Sequence, residues 1–241
     1  EQRLSLTREF SQYLADRYGV AVDMAIHSPH GKTDTRNHHA HLLMTTRQVG
    51  ANGLGEKSHL ELENKRLQAQ GLPTSHQQLI DIRVVWEEMT NAQLARAGLD
   101  RRIDHRSHQD CGLEIEPTQH VGVHATQMER RGKSVSRTRI DEDSARRNAE
   151  LIREKPEQVL TLITHEKSVF DRYDVARTLH RYLDSADEFQ VALAKVMNSP
   201  ALVTLQAEST DALGNVVEAR YSTQTMVTIC LLYTSPSPRD Q

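Results

Sequence analysis

The sequence predicts an α+β chain on three observations. Val20, Val22, Met24 and Ile26 alternate with Ala21, Asp23, Ala25 and His27, and His38–Thr46 repeats the alternation, the two-residue period of half-buried strands. Both strands sit between segments whose apolar residues recur at helical spacing. Beyond Leu151 come three further helical patterns and then two short strand-like runs.

In chain order, Leu4, Leu6, Phe10, Leu14 and Tyr18 give the apolar face of a helix over Leu4–Arg17, with Gly19 as its stop. The first strand follows. Ser28–Asn37 is polar and contains Pro29 and Gly31, so it reads as a loop. The second strand ends near Thr46, and Asn52, Gly53 and Gly55 mark another polar loop. Leu60–Gln70 reads as a charged helix. A stronger one runs from Ser75, its expected cap, to Ala97, with Leu79, Ile82, Val85, Trp86, Met89 and Leu94 on one face and Gly98 after it. Asp100–His108 is short, basic and irregular. Residues 127–150 hold many arginines among few apolar residues and read as a charged linker or exposed arm. Pro156–Thr164, Tyr173–Leu183 and Asp187–Met197 read as helices. Leu202–Ala207 and Val216–Tyr221 flank a turn at Gly214 and read as a hairpin. Three helices followed by a hairpin is the order of a winged-helix-like module.

Bulk composition narrows the class. The chain has 241 residues, 37% hydrophobic and 26% charged, with a formal net charge of −3. Any nucleic acid must therefore bind at a local patch rather than to a protein basic all over. No apolar run reaches the roughly 18 residues of a membrane span, and no secretory leader opens the chain, so membrane insertion is not expected. Two cysteines, Cys111 and Cys230, are too few for a disulfide framework, and a cytoplasmic location is expected. Glu1 already lies within a helical pattern, so the chain reads as a fragment that begins inside a fold. Cys230–Asp240 resembles a translated sequencing-library adapter and is set aside from fold reasoning, with residues 230–241 as a probable-artefact tail.

Thirteen histidines is a high count, and His27, His30, His38, His39, His41 and His59 crowd one region. Alternation puts His39 and His41 on one side of their strand, and His27 on the face opposite the Val20/Val22/Met24/Ile26 stripe. If the two strands pair with their apolar stripes on one core, the three imidazoles share the other face, and Ala25 leaves room above the sheet. Three neutral imidazoles with open positions make a catalytic rather than a structural metal site. Imidazole suits manganese, zinc, nickel or cobalt, whereas magnesium alone prefers oxygen. The competing reading is three surface histidines on a hairpin rim, and strand parity alone does not separate the two. Arg36 and Arg47 flank the histidine strand as candidate phosphate contacts or as solvated loop arginines. Asp23 is either a support for a ligand histidine or a surface acid. Trp86 is a base-stacking candidate or core.

Ala25-Ile26-His27, Asp34-x-Arg36-Asn37-His38-His39-Ala40-His41 and Thr45-Thr46-Arg47 resemble a motif of the MobA/MobL family of conjugative relaxases, the HUH-type single-strand endonucleases of mobilisable plasmids. Trp86, Asn91, Leu94, Gly98, Arg102-Ile103-Asp104-His105-Arg106-Ser107, and Gly112 through Glu116-Pro117-Thr118 to His120-x-Gly122 resemble the family's second block. Met128-Glu129-Arg130-Arg131-Gly132 follows as in its TraA-type members. The likeness covers residues 1–135 well and continues more loosely through Leu179-His180-Arg181-Tyr182 to Ala219-Arg220-Tyr221-Ser222-Thr223.

The resemblance implies an antiparallel sheet flanked by helices. It makes His27, His39 and His41 ligands of a divalent metal, magnesium or manganese in the cell with zinc as an option. It implies nicking of single-stranded DNA at a plasmid transfer origin through a phosphotyrosine intermediate. The tyrosine is expected upstream of Glu1, since Tyr13 and Tyr18 belong to a packed helix, and the fragment alone is then inactive. Relaxosome accessory proteins and a type IV coupling protein are the implied partners. The expected organisation is a relaxase domain at 1–126, the linker at 127–150, and a module at 151–229 that precedes a helicase. Two other classes compete: a nonenzymatic DNA-binding or adaptor module, and a metal-dependent hydrolase of small phosphoesters.

Overall fold

The computed structural model describes residues 1–29, 38–117 and 136–234. The chain divides into two units, Glu1–Leu99 and Asp100–Gln241. Among the described residues no helix is long and apolar enough to cross a membrane.

In the first unit, α1 (Gln2–Tyr18) buries Thr7, Phe10, Ser11, Leu14 and Tyr18, a stripe at the three- and four-residue spacing of one helical face. The two hydroxyls in that stripe are satisfied within the helix: Thr7 Oγ1 donates to the Arg3 carbonyl at 2.8 Å and Ser11 Oγ to the Thr7 carbonyl at 2.7 Å. Gly19 ends the helix with φ +63°, the left-handed conformation that glycine adopts without a Cβ penalty. Its carbonyl then accepts from Val49 N–H at 2.7 Å, so the helix stop also anchors a later strand.

β1 (Val22–His27) pairs antiparallel with β2 (His39–Met44) in the register Val22 opposite Met44, Met24 opposite Leu42 and Ile26 opposite Ala40. Val22, Leu42 and Met44 pack onto Phe10, Leu14, Tyr18 and Val20, with Ile82, Val85, Trp86 and Met89 of α3 (Ser75–Arg96) closing the same cluster. One face of the ribbon is thus covered by helices. The segment around Asn52 forms a hairpin rather than the expected loop: β3 (Arg47–Gly50) pairs with β4 (Gly53–Lys57). Every residue of β4 is exposed, so no buried stripe imposes the alternation by which a strand is recognised. Leu60–Gln70 gives a 3-10 turn at His59–Glu61 and the short α2 (Asn64–Ala69). The cap of α3 is Thr74, whose hydroxyl accepts from Gln77 N–H; Ser75 instead binds the Asn64 side chain.

In the second unit the segment from Asp100 to Pro117 lies against helices. α4 (Ser136–Glu154) occupies much of the stretch read as a linker and buries Ser144, Asn148 and Ile152. α5 (Gln158–Glu166), α6 (Arg172–Leu179) and α7 (Ala186–Met197) surround a core that includes Phe170, Leu179, Leu183, Leu193 and Val196. β5 (Leu202–Gln206) pairs with β8 (Arg220–Thr223), and β6 (Ser209–Thr210) with β7 (Val216–Val217). α8 (Gln224–Thr234) follows. The fold is α+β with small antiparallel sheets.

α6 begins with a reciprocal capping box between Asp171 and Asp174, and Asp174 also pairs with Lys167 in a poorly exposed site. Burial raises the Asp174 carboxyl, but hydrogen bonds from Lys167 and the Asp171 N–H hold it below its ordinary value. A carboxylate depressed in the folded state contributes stability in full above its unfolded value, about 3.9, and loses it as pH falls through the lower folded value. Asp174→Asn is expected to cost about 2–3 kcal/mol at neutral pH in urea denaturation, and the difference from the native protein is expected to shrink in acid.

Candidate metal centre

The β1–β2 register places His27 directly opposite His39, and His41 directly opposite Ala25. These positions alternate with the buried stripe, so all three imidazoles stand on the uncovered face. Ring centroids are 5.3 Å apart for His27 and His39, 4.7 Å for His27 and His41, and 5.2 Å for His39 and His41. One ring nitrogen from each lies within 4.8 Å of the others, and all three residues are exposed. A tetrahedral zinc ion holds nitrogens at about 2.0–2.1 Å and hence about 3.4 Å from one another. Exposed side chains whose nitrogens already lie within 4.8 Å of one another can reach that spacing by rotation on an open face. The donor set therefore fits one divalent ion with coordination positions left over.

The other sequence candidates are distributed around this face. Arg36 lies outside the described residues. Arg47 opens β3, and its guanidinium donates to the Gly55 carbonyl at 2.8 Å, tying the two strands of that hairpin. Thr45 fixes the opposite end of the ribbon, accepting from Ala21 N–H and donating to the Arg47 carbonyl. Asp23 shares the histidine face but opposes Leu43, two pairs beyond Ala25, and is outside the three-nitrogen cluster. Trp86 is a core residue, edge-on to Phe10 with centroids 4.9 Å apart. It also lines a groove of about 200 Å³ with Ile26, His38, His39 and Ala40. Tyr18 is buried in the helix core and Tyr13 packs beside it. Burial pushes the Tyr13 phenol above its ordinary value.

The second sequence block acts as a clamp. Arg102 donates through its backbone N–H to the Glu166 carbonyl, and its guanidinium binds the Thr164 carbonyl and Ser168 Oγ, so a cation caps the carbonyl end of α5. Asp100 accepts from the N–H groups of Ser168 and Val169. Glu116 forms a two-point pair with Arg147 at 2.7 and 2.8 Å, which lowers its carboxyl to about 2. The Asn148 amide bridges the Glu116 N–H and carbonyl, both at 2.9 Å. Spacing in the sequence does not reveal these roles, since each partner lies far along the chain.

Asp104, Cys111 and His165 form another compact group of donors. Arg106 holds the Asp104 carboxylate at both oxygens, with Nη2 at 2.6 Å from Oδ2, and lowers that carboxyl well below the usual range. A guanidinium already occupies the place a cation would take. The group is a pinned loop.

An uncovered face bearing three convergent imidazoles, on an α+β unit backed by helices, is the class of site defined here. The chain belongs to the MobA/MobL family, which it matches over residues 1–131. It is 34% identical to the probable conjugal transfer protein TraA of Sinorhizobium fredii (strain NBRC 101917 / NGR234) over 94% of this chain and 22% of that protein. It is 32% identical to the conjugal transfer protein TraA of Rhizobium radiobacter, with the same coverage. The mobilization protein MobL of Acidithiobacillus ferridurans is 36% identical over 71% of this chain and 50% of its own length. The chain thus spans about a fifth of its TraA relatives. No solved structure matches it.

Burial and the neighbouring Asp104 carboxylate push the Cys111 thiol up. Because the thiolate is the reactive form, Cys111 is expected to alkylate with iodoacetamide several-fold more slowly than free cysteine at pH 7.5. Mass spectrometry of the labelled peptide measures the rate.

Proposed function

We propose that this chain is part of a conjugative relaxase whose metal is held by His27, His39 and His41 and which nicks one DNA strand at a plasmid transfer origin. The observation that carries the reading is the convergence of three imidazoles on the open face of β1–β2, in a chain of the MobA/MobL family. A divalent ion bound there supplies Lewis-acid polarisation of a phosphate oxygen. The chain's own part is to present three neutral nitrogens on one face, to keep that face clear with the small Ala25, and to back it with a rigid helical core. Arg47 and Arg36 are the proposed phosphate contacts that set the strand's register.

In the reaction implied by the family, a tyrosine hydroxyl attacks the scissile phosphorus. The phosphorus–oxygen bond to the 3′ side breaks, and the 5′ phosphate stays on the tyrosine. The released 3′-hydroxyl makes the step reversible, the usual value of a covalent intermediate. Tyr13 and Tyr18 are not this residue in the proposal, which places the nucleophile upstream of Glu1. The HUH-type fold, a relaxase domain over 1–126 and a winged-helix-like accessory module over 151–229 belong to the same reading. So do the relaxosome and type IV coupling protein as partners.

His39→Ala/His41→Ala, made in the full-length protein, is expected to lower bound metal from about one equivalent per chain to a small fraction. Nicking of a transfer-origin oligonucleotide is expected to fall by at least about 100-fold, the scale of several kcal/mol of transition-state stabilisation. Elemental analysis and a covalent-adduct gel read the two effects. Unchanged metal content and unchanged adduct would return the chain to the adaptor class. Ala25→Phe, at an exposed strand position that tolerates aromatics, is expected to weaken metal binding by crowding His27 and His41 while leaving the melting temperature unchanged. Calorimetric titration with manganese or zinc measures it.

A further inference from the structure

The second unit holds a polar cavity of about 160 Å³ that the metal site does not use. Its walls carry four cations, Arg101, Lys167, Arg177 and Arg181, against two carboxylates, Glu166 and Asp174. Lys167 is matched by Asp174, and Arg101 by Glu166 at 3.1 Å. Arg177 reaches Asp174 only at 3.8 Å, on a carboxylate Lys167 already holds, and its side chain is 63% exposed. Arg181 makes no ion pair among the described residues. Two guanidinium groups are therefore in excess in the lining of one cavity, Arg177 in the last turn of α6 and Arg181 in the turn that follows the helix.

The remaining lining selects the ligand. Thr178 hydroxyl is engaged with the Asp174 carbonyl. Tyr182 lines the cavity beside Arg181, and burial raises its phenol, so it stays a protonated donor. The Leu179-His180-Arg181-Tyr182 motif is thereby accounted for: Leu179 is in the core, His180 stacks on Phe189 at 4.0 Å, and Arg181 and Tyr182 face the cavity. Planar guanidinium donors with a nearby hydroxyl suit the several oxygens of a phosphate group.

We propose that this cavity binds a phosphate group, and that the phosphate belongs to the backbone of a nucleic acid. The nucleic-acid assignment rests on the relaxase reading; the phosphate chemistry does not. The test compares the full-length protein with Arg177→Ala/Arg181→Ala and Arg177→Lys/Arg181→Lys, measuring the affinity for a labelled single-stranded oligonucleotide against salt concentration. Each single-strand phosphate contact adds about 0.7 to the log–log slope. The alanine pair, which loses this one phosphate contact, is therefore expected to have a slope shallower by about 0.7, so that raising salt fourfold costs it about 2.6-fold less affinity than the native protein. The lysine pair is expected to keep the native slope. Should the alanine pair misfold, Arg181→Ala alone is expected to lower the slope in the same direction, by up to about 0.7.

Calorimetry with inorganic phosphate forms the second arm. Phosphate binding that disappears in the alanine variant while the DNA slope is unchanged would support the phosphate site and overturn its nucleic-acid assignment. Neither readout depending on the two arginines would overturn the proposal altogether. Failure of the relaxase reading appears elsewhere, in metal content and adduct formation of the histidine variants.

Discussion

Burial of the stripe Val22, Leu42 and Met44 against α1 and α3 decides which face of the β1–β2 ribbon remains in water. Fully burying an aliphatic side chain is worth about 1.5–3 kcal/mol, and these partly buried residues together far outweigh anything three exposed imidazoles contribute to folding. A slip of one residue would turn the stripe outward and the histidines inward, exposing apolar surface and burying polar rings without partners. The register that places His27 opposite His39 is therefore enforced from the far side of the sheet. The histidine cluster is a consequence of core packing.

That dependence explains the division of labour within the first unit. Everything on the covered face is packing: Trp86 edge-on to Phe10, Tyr18 buried, Ser11 satisfied within its own helix. The open face carries the three imidazoles, with space and coordination positions left unfilled beside them. Ala25, directly opposite His41, keeps that space.

The second unit is held by a different kind of contact. Its apolar core is joined by polar groups that reach across long stretches of sequence: Asp100 to the amides after α5, Arg102 to the last carbonyls of α5, and Glu116 to Arg147 and Asn148. Most of these groups answer backbone donors or acceptors that would otherwise be left unpaired. A segment that looks basic and irregular in the sequence is in this way fixed in place, while Arg177 and Arg181 stand in excess of the carboxylates that line one cavity.

Alternation alone made the two strands and the common face of the three histidines legible, because a two-residue period maps directly onto the sides of a pleated ribbon. Gly19 was legible as a helix stop for an equally local reason, its left-handed backbone. The β3–β4 hairpin was hidden because a strand exposed on both faces carries no alternation. The helix over Ser136–Glu154 was hidden because it buries few residues, two of them Ser144 and Asn148, amid a run of charges. Local pattern thus determined which side chains share a face. The pairing register, the helical backing that leaves one face open, and the partners of Arg102, Glu116 and Asp174 were decided only by the tertiary structure, since each depends on groups tens of residues apart meeting in space.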